Sequence, residues 1–153
     1  MPVVSFEFSR LEERRPSGFD FGDLEVEVAL GQRASSRGHS PNQSMMIYIS
    51  LADLVSGVCQ LCASPKNTSY EFVGTGSSFV LRFRRMRTGT VQIVYRGGAL
   101  GEVTPRDLLS ALRGALTGFL ERQNALPPED PVAEDLGTAR AELERTLRRV
   151  AAG

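Results

Sequence analysis

The sequence predicts an α+β fold, and three observations carry that prediction. Ser5-Phe6-Glu7-Phe8 returns as Ser69-Tyr70-Glu71-Phe72, and Ser50-Leu51-Ala52-Asp53-Leu54-Val55-Ser56 returns as Thr104-Pro105-Arg106-Asp107-Leu108-Leu109-Ser110. Between the two halves of each match, apolar and polar residues alternate as half-buried strands require. Each second half then opens a stretch with apolar residues three and four apart, the spacing of an amphipathic helix. Self-similarity at roughly 50 to 65 residues marks two copies of one structural unit.

In the first unit, Val4, Phe6 and Phe8 alternate with Ser5, Glu7 and Ser9, and the strand breaks at Arg15-Pro16-Ser17-Gly18. A second strand puts Leu24, Val26, Val28 and Leu30 on one side and Glu25 and Glu27 on the other. A polar loop then runs from Gly31 to Ser44, and a third strand, Met45 to Ile49, leads into a helix. Ser50 is the expected N-cap with Asp53 completing an acidic capping box, and Leu51, Leu54, Val55, Val58, Leu61 and Cys62 form the buried stripe.

The second unit starts with a Tyr70–Phe72 strand, turned by Gly74-Thr75-Gly76. Phe79, Leu81 and Phe83 alternate with Val80, Arg82 and Arg84, and Thr88-Gly89 turns the chain into Val91, Ile93 and Tyr95, which stop at Gly97-Gly98. After a short Leu100–Val103 strand, Thr104 caps a helix, Pro105 fills its first position where a missing N–H costs nothing, and Asp107 completes the box. Leu108, Leu109, Leu112, Ala115, Leu116, Phe119 and Leu120 supply the stripe. Beyond Pro127, Pro128 and Pro131, an unduplicated helix carries Val132, Leu136, Ala139, Leu143, Leu147 and Val150 on an otherwise charged surface.

The expected architecture is therefore one mostly antiparallel sheet built from two β-β-β-α units, about residues 3–64 and 69–123, with helices on one face and a helical extension over 127–151. Three short strands and one helix bury little alone, so residues 1–153 are read as a single domain.

Composition narrows the function classes. With 18 basic and 18 acidic residues among 153, the net charge is zero, and no whole-molecule field draws the chain to nucleic acid or to an anionic membrane. No apolar run reaches the roughly 18 residues of a membrane span, and the amino terminus lacks a basic start and apolar core, so a cytoplasmic protein is expected. All basic residues except Lys66 are Arg, which reads as coding bias.

The residues that could carry chemistry have plainer readings. Cys59-Gln60-Leu61-Cys62 has the C-x-x-C spacing, but it falls in the second half of its helix, away from the N-terminal dipole that activates a redox thiol. Two cysteines and one distant histidine do not make a zinc site. His39, in a Ser/Gly-rich loop, shows no orienting carboxylate or nucleophile. Gly74-Thr75-Gly76-Ser77-Ser78 lacks the lysine and following helix of a phosphate loop. Glu129, Asp130, Glu134 and Asp135 surround a helix start, where the dipole favours them. No catalytic residue, metal or cofactor is expected.

The basic strand is the informative feature. Arg82, Arg84, Gln92 and Arg96 are expected on the sheet face opposite Phe79, Leu81, Val91 and Ile93. Three readings compete there: cross-strand pairing with Glu25 and Glu27 of the first unit, a protein partner with an acidic surface, or nucleic acid. Nucleic acid is the weakest, since RNA-binding sheets interleave stacking aromatics and only Tyr48 is available.

The duplicated β-rich body, the Ser/Thr-x-x-Asp-Leu helix starts at Ser50 and Thr104, and Leu126-Pro127-Pro128-Glu129-Asp130-Pro131-Val132 before a charged helix resemble small bacterial immunity proteins of toxin–immunity systems. The resemblance implies a non-enzymatic protein that binds and masks another protein, and it carries over no binding residue by position. The alternative is a homodimer or an assembly component held by the C-terminal helix.

Overall fold

The computed structural model describes residues 4–152. Met1 to Val3, with the expected start of the first unit and part of the segment read for a leader, lie outside the described residues, as does Gly153. The chain runs β1 (Val4–Arg10), β2 (Phe21–Val28), β3 (Gln32–Ser35), β4 (Met45–Met46), α1 (Ile47–Ala63), β5 (Ser69–Val73), β6 (Val80–Arg85), β7 (Val91–Tyr95), β8 (Gly98–Val103), α2 (Pro105–Phe119) and α3 (Pro131–Ala152). The class is α+β, with antiparallel strands and a C-terminal helix.

The strands form two four-stranded sheets and not one. In the first, β1, β2 and β3 follow in order while β4 takes the other end of β2, so β3 and β4 share one edge of that strand. In the second, β5, β6, β7 and β8 follow as successive antiparallel neighbours. Side-chain packing joins the sheets where a ladder does not: Val28 lies so close to Gly101 that a Cβ there would meet its Cγ1 at 2.7 Å. Gly101 stands beside the register shift between Ile93 and Val94, and a bulged strand bends away from further pairing.

Two readings of the first unit change. The polar loop contains a strand, β3, whose outward Arg33 and Gln32 hide its pattern, and Met45–Ile49 is strand for two residues only. A short, fully apolar run does not distinguish strand from helix. Helix wins because Ile47, Tyr48, Leu51, Leu54, Val55 and Val58 then share one buried side. The helix start moves back, and Ser50, expected as the cap, is a buried residue inside α1 whose Oγ accepts the Thr75 N–H at 3.0 Å. At the matching position of the second unit, Thr104 is the cap: its Oγ1 accepts the Asp107 N–H at 3.1 Å, with Pro105 at the first helical position.

Apolar residues of both units and of α3 belong to one buried cluster. The stripe of α3 is used inside the chain: Val132, Leu136, Ala139, Leu143 and Leu147 are buried, the helix packs on α1 and α2, and its charged side faces outward. At the far end of the core the Phe119 ring meets Tyr48 at 5.6 Å between centroids and Phe8 edge-on at 6.4 Å. The Tyr48 hydroxyl donates to the Asn124 carbonyl, in the turn Leu120–Asn124 that follows α2 and leaves helical geometry at Arg122 and Gln123.

Buried carboxylates pin the hairpins. Asp20 receives Arg10 Nη1 at 3.1 Å and the Ser17 N–H at 2.9 Å. Asp23 Oδ1 accepts from Ser36 Oγ at 2.7 Å and Ser44 Oγ at 2.8 Å, so one carboxylate ties both ends of the 36–44 loop.

Candidate functional site

The outward residues of the second sheet fall into rows fixed by strand register. Ser69, Arg84, Gln92 and Glu102 form one row across β5 to β8, Glu71, Arg82, Val94 and Ala99 the next, and Val73 lies opposite Val80. Beneath them Leu81, Phe83, Val91 and Ile93 are buried. The period of two therefore places Arg82, Arg84 and Gln92 on one face as expected, with Arg96 at its end.

Their partners are local. Arg82 Nε reaches Glu71 Oε2 at 2.8 Å across the β5–β6 register, and both side chains are exposed. Arg84 makes no ion pair among the described residues. Glu25 and Glu27 of the first sheet are met by Arg33 of β3, at 3.5 and 3.1 Å, so the inter-unit ladder expected as one reading of the basic strand does not form. Arg33 lies in a stretch whose polar composition signals loop, so nothing in the sequence points to this pairing.

Arg96 is held differently. Tyr95 pairs with Gly98, leaving Arg96 and Gly97 as a two-residue hairpin loop with φ of 52° and 78°. Positive φ at both positions is the type I′ turn, which favours Asn or Gly. For an arginine the left-handed conformation costs about 1–2 kcal/mol. Its guanidinium lies over the Tyr95 ring, 5.2 Å from the centroid, and Nη2 is 3.2 Å from His39 Nδ1. His39 Nε2 is 2.7 Å from the Ser35 carbonyl. A carbonyl only accepts and a guanidinium only donates, so the ring carries its hydrogen on Nε2 and accepts on Nδ1.

A cleft of about 330 Å³ opens beside this turn, lined among others by Gln43, Ser78, Val80, Arg82, Val94 and Arg96. Gln43 lines it, with its Oε1 turned away from solvent and without a hydrogen-bond partner among the described residues. Four of these residues escaped sequence reasoning. Gln43, like His39, comes from the 36–44 loop, and nothing in a Ser/Gly-rich loop announces which sheet it touches.

Comparisons with protein-family models, with curated proteins and with solved structures find no match to this chain.

The other singled-out residues take structural places. Tyr48, the aromatic considered for base stacking, is fully buried, and burial pushes its hydroxyl up to about 12. The Cys59 and Cys62 thiols are pushed up by burial to about 11 and about 12, the opposite of an activated thiol. Asp130 binds the start of α3, accepting the Val132 N–H at 2.9 Å, and also holds Gly18 N–H at 2.9 Å. Among the described residues no cluster of His, Cys, Asp and Glu is arranged to hold a metal, and no helix is long and apolar enough to cross a membrane.

Proposed function

We propose that this chain is a non-enzymatic protein-binding domain that presents the open face of its second sheet to an acidic surface of another protein. The observation that carries the reading is a solvent-facing sheet on which Arg84 makes no ion pair among the described residues and Arg96 is kept in a strained turn. Backbone strain persists where surrounding contacts over-determine it, and it concentrates at binding sites. Arginine is enriched among interface residues that dominate affinity, and a basic patch steers association with an acidic partner.

The carboxylates on the same face favour protein over nucleic acid. Glu71 and Glu102 flank the arginines, and a phosphate backbone laid across the sheet would meet both. The Tyr95 ring is covered by Arg96, so no free stacking platform supports bases. An immunity-like inhibitor that masks its target is the form of this function we favour, in a cytoplasmic setting that agrees with two free thiols, Cys59 buried and Cys62 half-buried.

The test is affinity purification from the native host with the full chain and with Arg84→Glu/Arg96→Glu, after circular dichroism shows both folded. A partner retained by the first and lost by the second supports the reading. The same proteins captured equally by both would sink it.

A further inference from the structure

We infer that the cleft between Arg82 and Arg96 receives a carboxylate side chain of the partner protein, flanked by apolar residues that rest on Val80 and Val94. This deepens the proposed function and rests on the open sheet face being the interface.

The cleft differs from the rest of the face in chemistry. Its walls combine Arg82 of β6 and Arg96 of the β7–β8 turn with the polar residues Gln43 and Ser78, while Val80 and Val94 make an apolar floor. Val73, exposed and opposite Val80, extends that floor toward the sheet edge. An apolar surface interrupted by fixed donors is complementary to a short extended segment such as Val-Glu-Val, not to a run of charges.

The donors are also prepared differently. Arg96 is oriented before any partner arrives, by stacking on Tyr95 and by donating to His39, so little side-chain entropy is lost when it binds. Arg82 is engaged with Glu71, but an exposed pair of this kind contributes about 0–1 kcal/mol and can share its guanidinium with a second carboxylate.

The experiment follows backbone and Arg Nε–H resonances of the full-length protein by NMR while titrating acetyl-Val-Glu-Val-amide, acetyl-Val-Gln-Val-amide and sodium acetate. The expected result is saturable shifts confined to Ser78, Val80, Arg82 and Val94–Gly97 with the Glu peptide. The Gln peptide should bind about tenfold more weakly or worse, the factor for one charge-assisted hydrogen bond. Acetate should not reproduce the shifts at the same concentration. Arg96→Asn, which suits the turn and should fold at least as well, must abolish the peptide response. Equal response to both peptides, an acetate response of equal affinity, no response, or an unaltered response in Arg96→Asn overturns the inference. If Arg84→Glu/Arg96→Glu still removes a partner in the purification while the Glu peptide leaves the cleft silent, the sheet-face function stands and the carboxylate cleft falls.

Discussion

Arg96 Nη2 donates to His39 Nδ1 at 3.2 Å, and this contact ties a hairpin of the second sheet to a loop of the first. The two residues are far apart in sequence, and the loop that carries His39 is anchored at both ends by Asp23. The chain's one histidine is thus a support for the arginine at the proposed interface.

Replacing His39 by alanine removes an acceptor that Arg96 can regain from water, so the global cost should be about 0.5–1.5 kcal/mol. Locally the effect should be larger: amides of Arg37 to Gln43 should exchange faster with solvent, while those of β6 and β7 remain unchanged. Hydrogen exchange by mass spectrometry measures both, and unchanged protection of the loop would refute the supporting role.

Asp23→Ala should be the costlier change at the same loop. It leaves the Ser36 hydroxyl buried without its 2.7 Å acceptor, while the Ser44 hydroxyl can still turn to Asn42 Oδ1 at 2.8 Å. One orphaned buried donor costs about 1–3 kcal/mol, and urea unfolding should show a loss in that range, with Ser44→Ala losing less.

At Gly57, helix propensity and packing make opposite predictions. Gly to Ala inside a helix usually stabilises by about 0.5–1 kcal/mol. Here a Cβ would stand 2.0 Å from the Tyr70 ring, whose hydroxyl donates to the Asp53 carbonyl at 3.0 Å. Gly57→Ala should therefore destabilise by about 1–3 kcal/mol, as overpacking does. Chemical denaturation decides the sign, and Tyr70→Ala in the same chain should recover part of the loss.

Alkaline pH should weaken the fold through the buried thiols. Cys59 is raised from 9.0 to about 11 and Cys62 from 9.0 to about 12 by burial, so the unfolded chain loses these protons first. A raised acid contributes its full stability below pH 9 and loses it as pH rises through the folded value. The urea midpoint should fall between pH 9 and about 11. Below pH 9, iodoacetamide should modify neither thiol in the folded protein at an appreciable rate and both rapidly in urea; fast native labelling would contradict the burial of these groups.

Much of this molecule was legible in one dimension because its signals are local. The alternation around Phe6, Leu81 and Ile93 separates buried from outward residues, and the Thr104–Asp107 cap starts α2 where it was expected. Ser50 misled because the same residue pattern that caps one helix can sit inside another, and Thr75, which occupies the Ser50 hydroxyl, is a neighbour only in space. Arg82, Arg84 and Gln92 could be placed on one face since register within a hairpin follows from its turn, whereas Gln43 and His39 lie on a loop whose destination no periodicity encodes.

The sequence by itself determined the α+β class, the two related units, the three helices and the side of the sheet on which the arginines lie. All of these follow from backbone periods and capping chemistry acting over a few residues. Only the tertiary structure decided that two sheets form, that α3 spends its apolar stripe on α1, that Glu25 and Glu27 belong to Arg33, and that Arg96 is held by His39. These outcomes depend on long-range packing, in which one bulge at Ile93 and Val94 and one bare Cα at Gly101 settle how the two units meet.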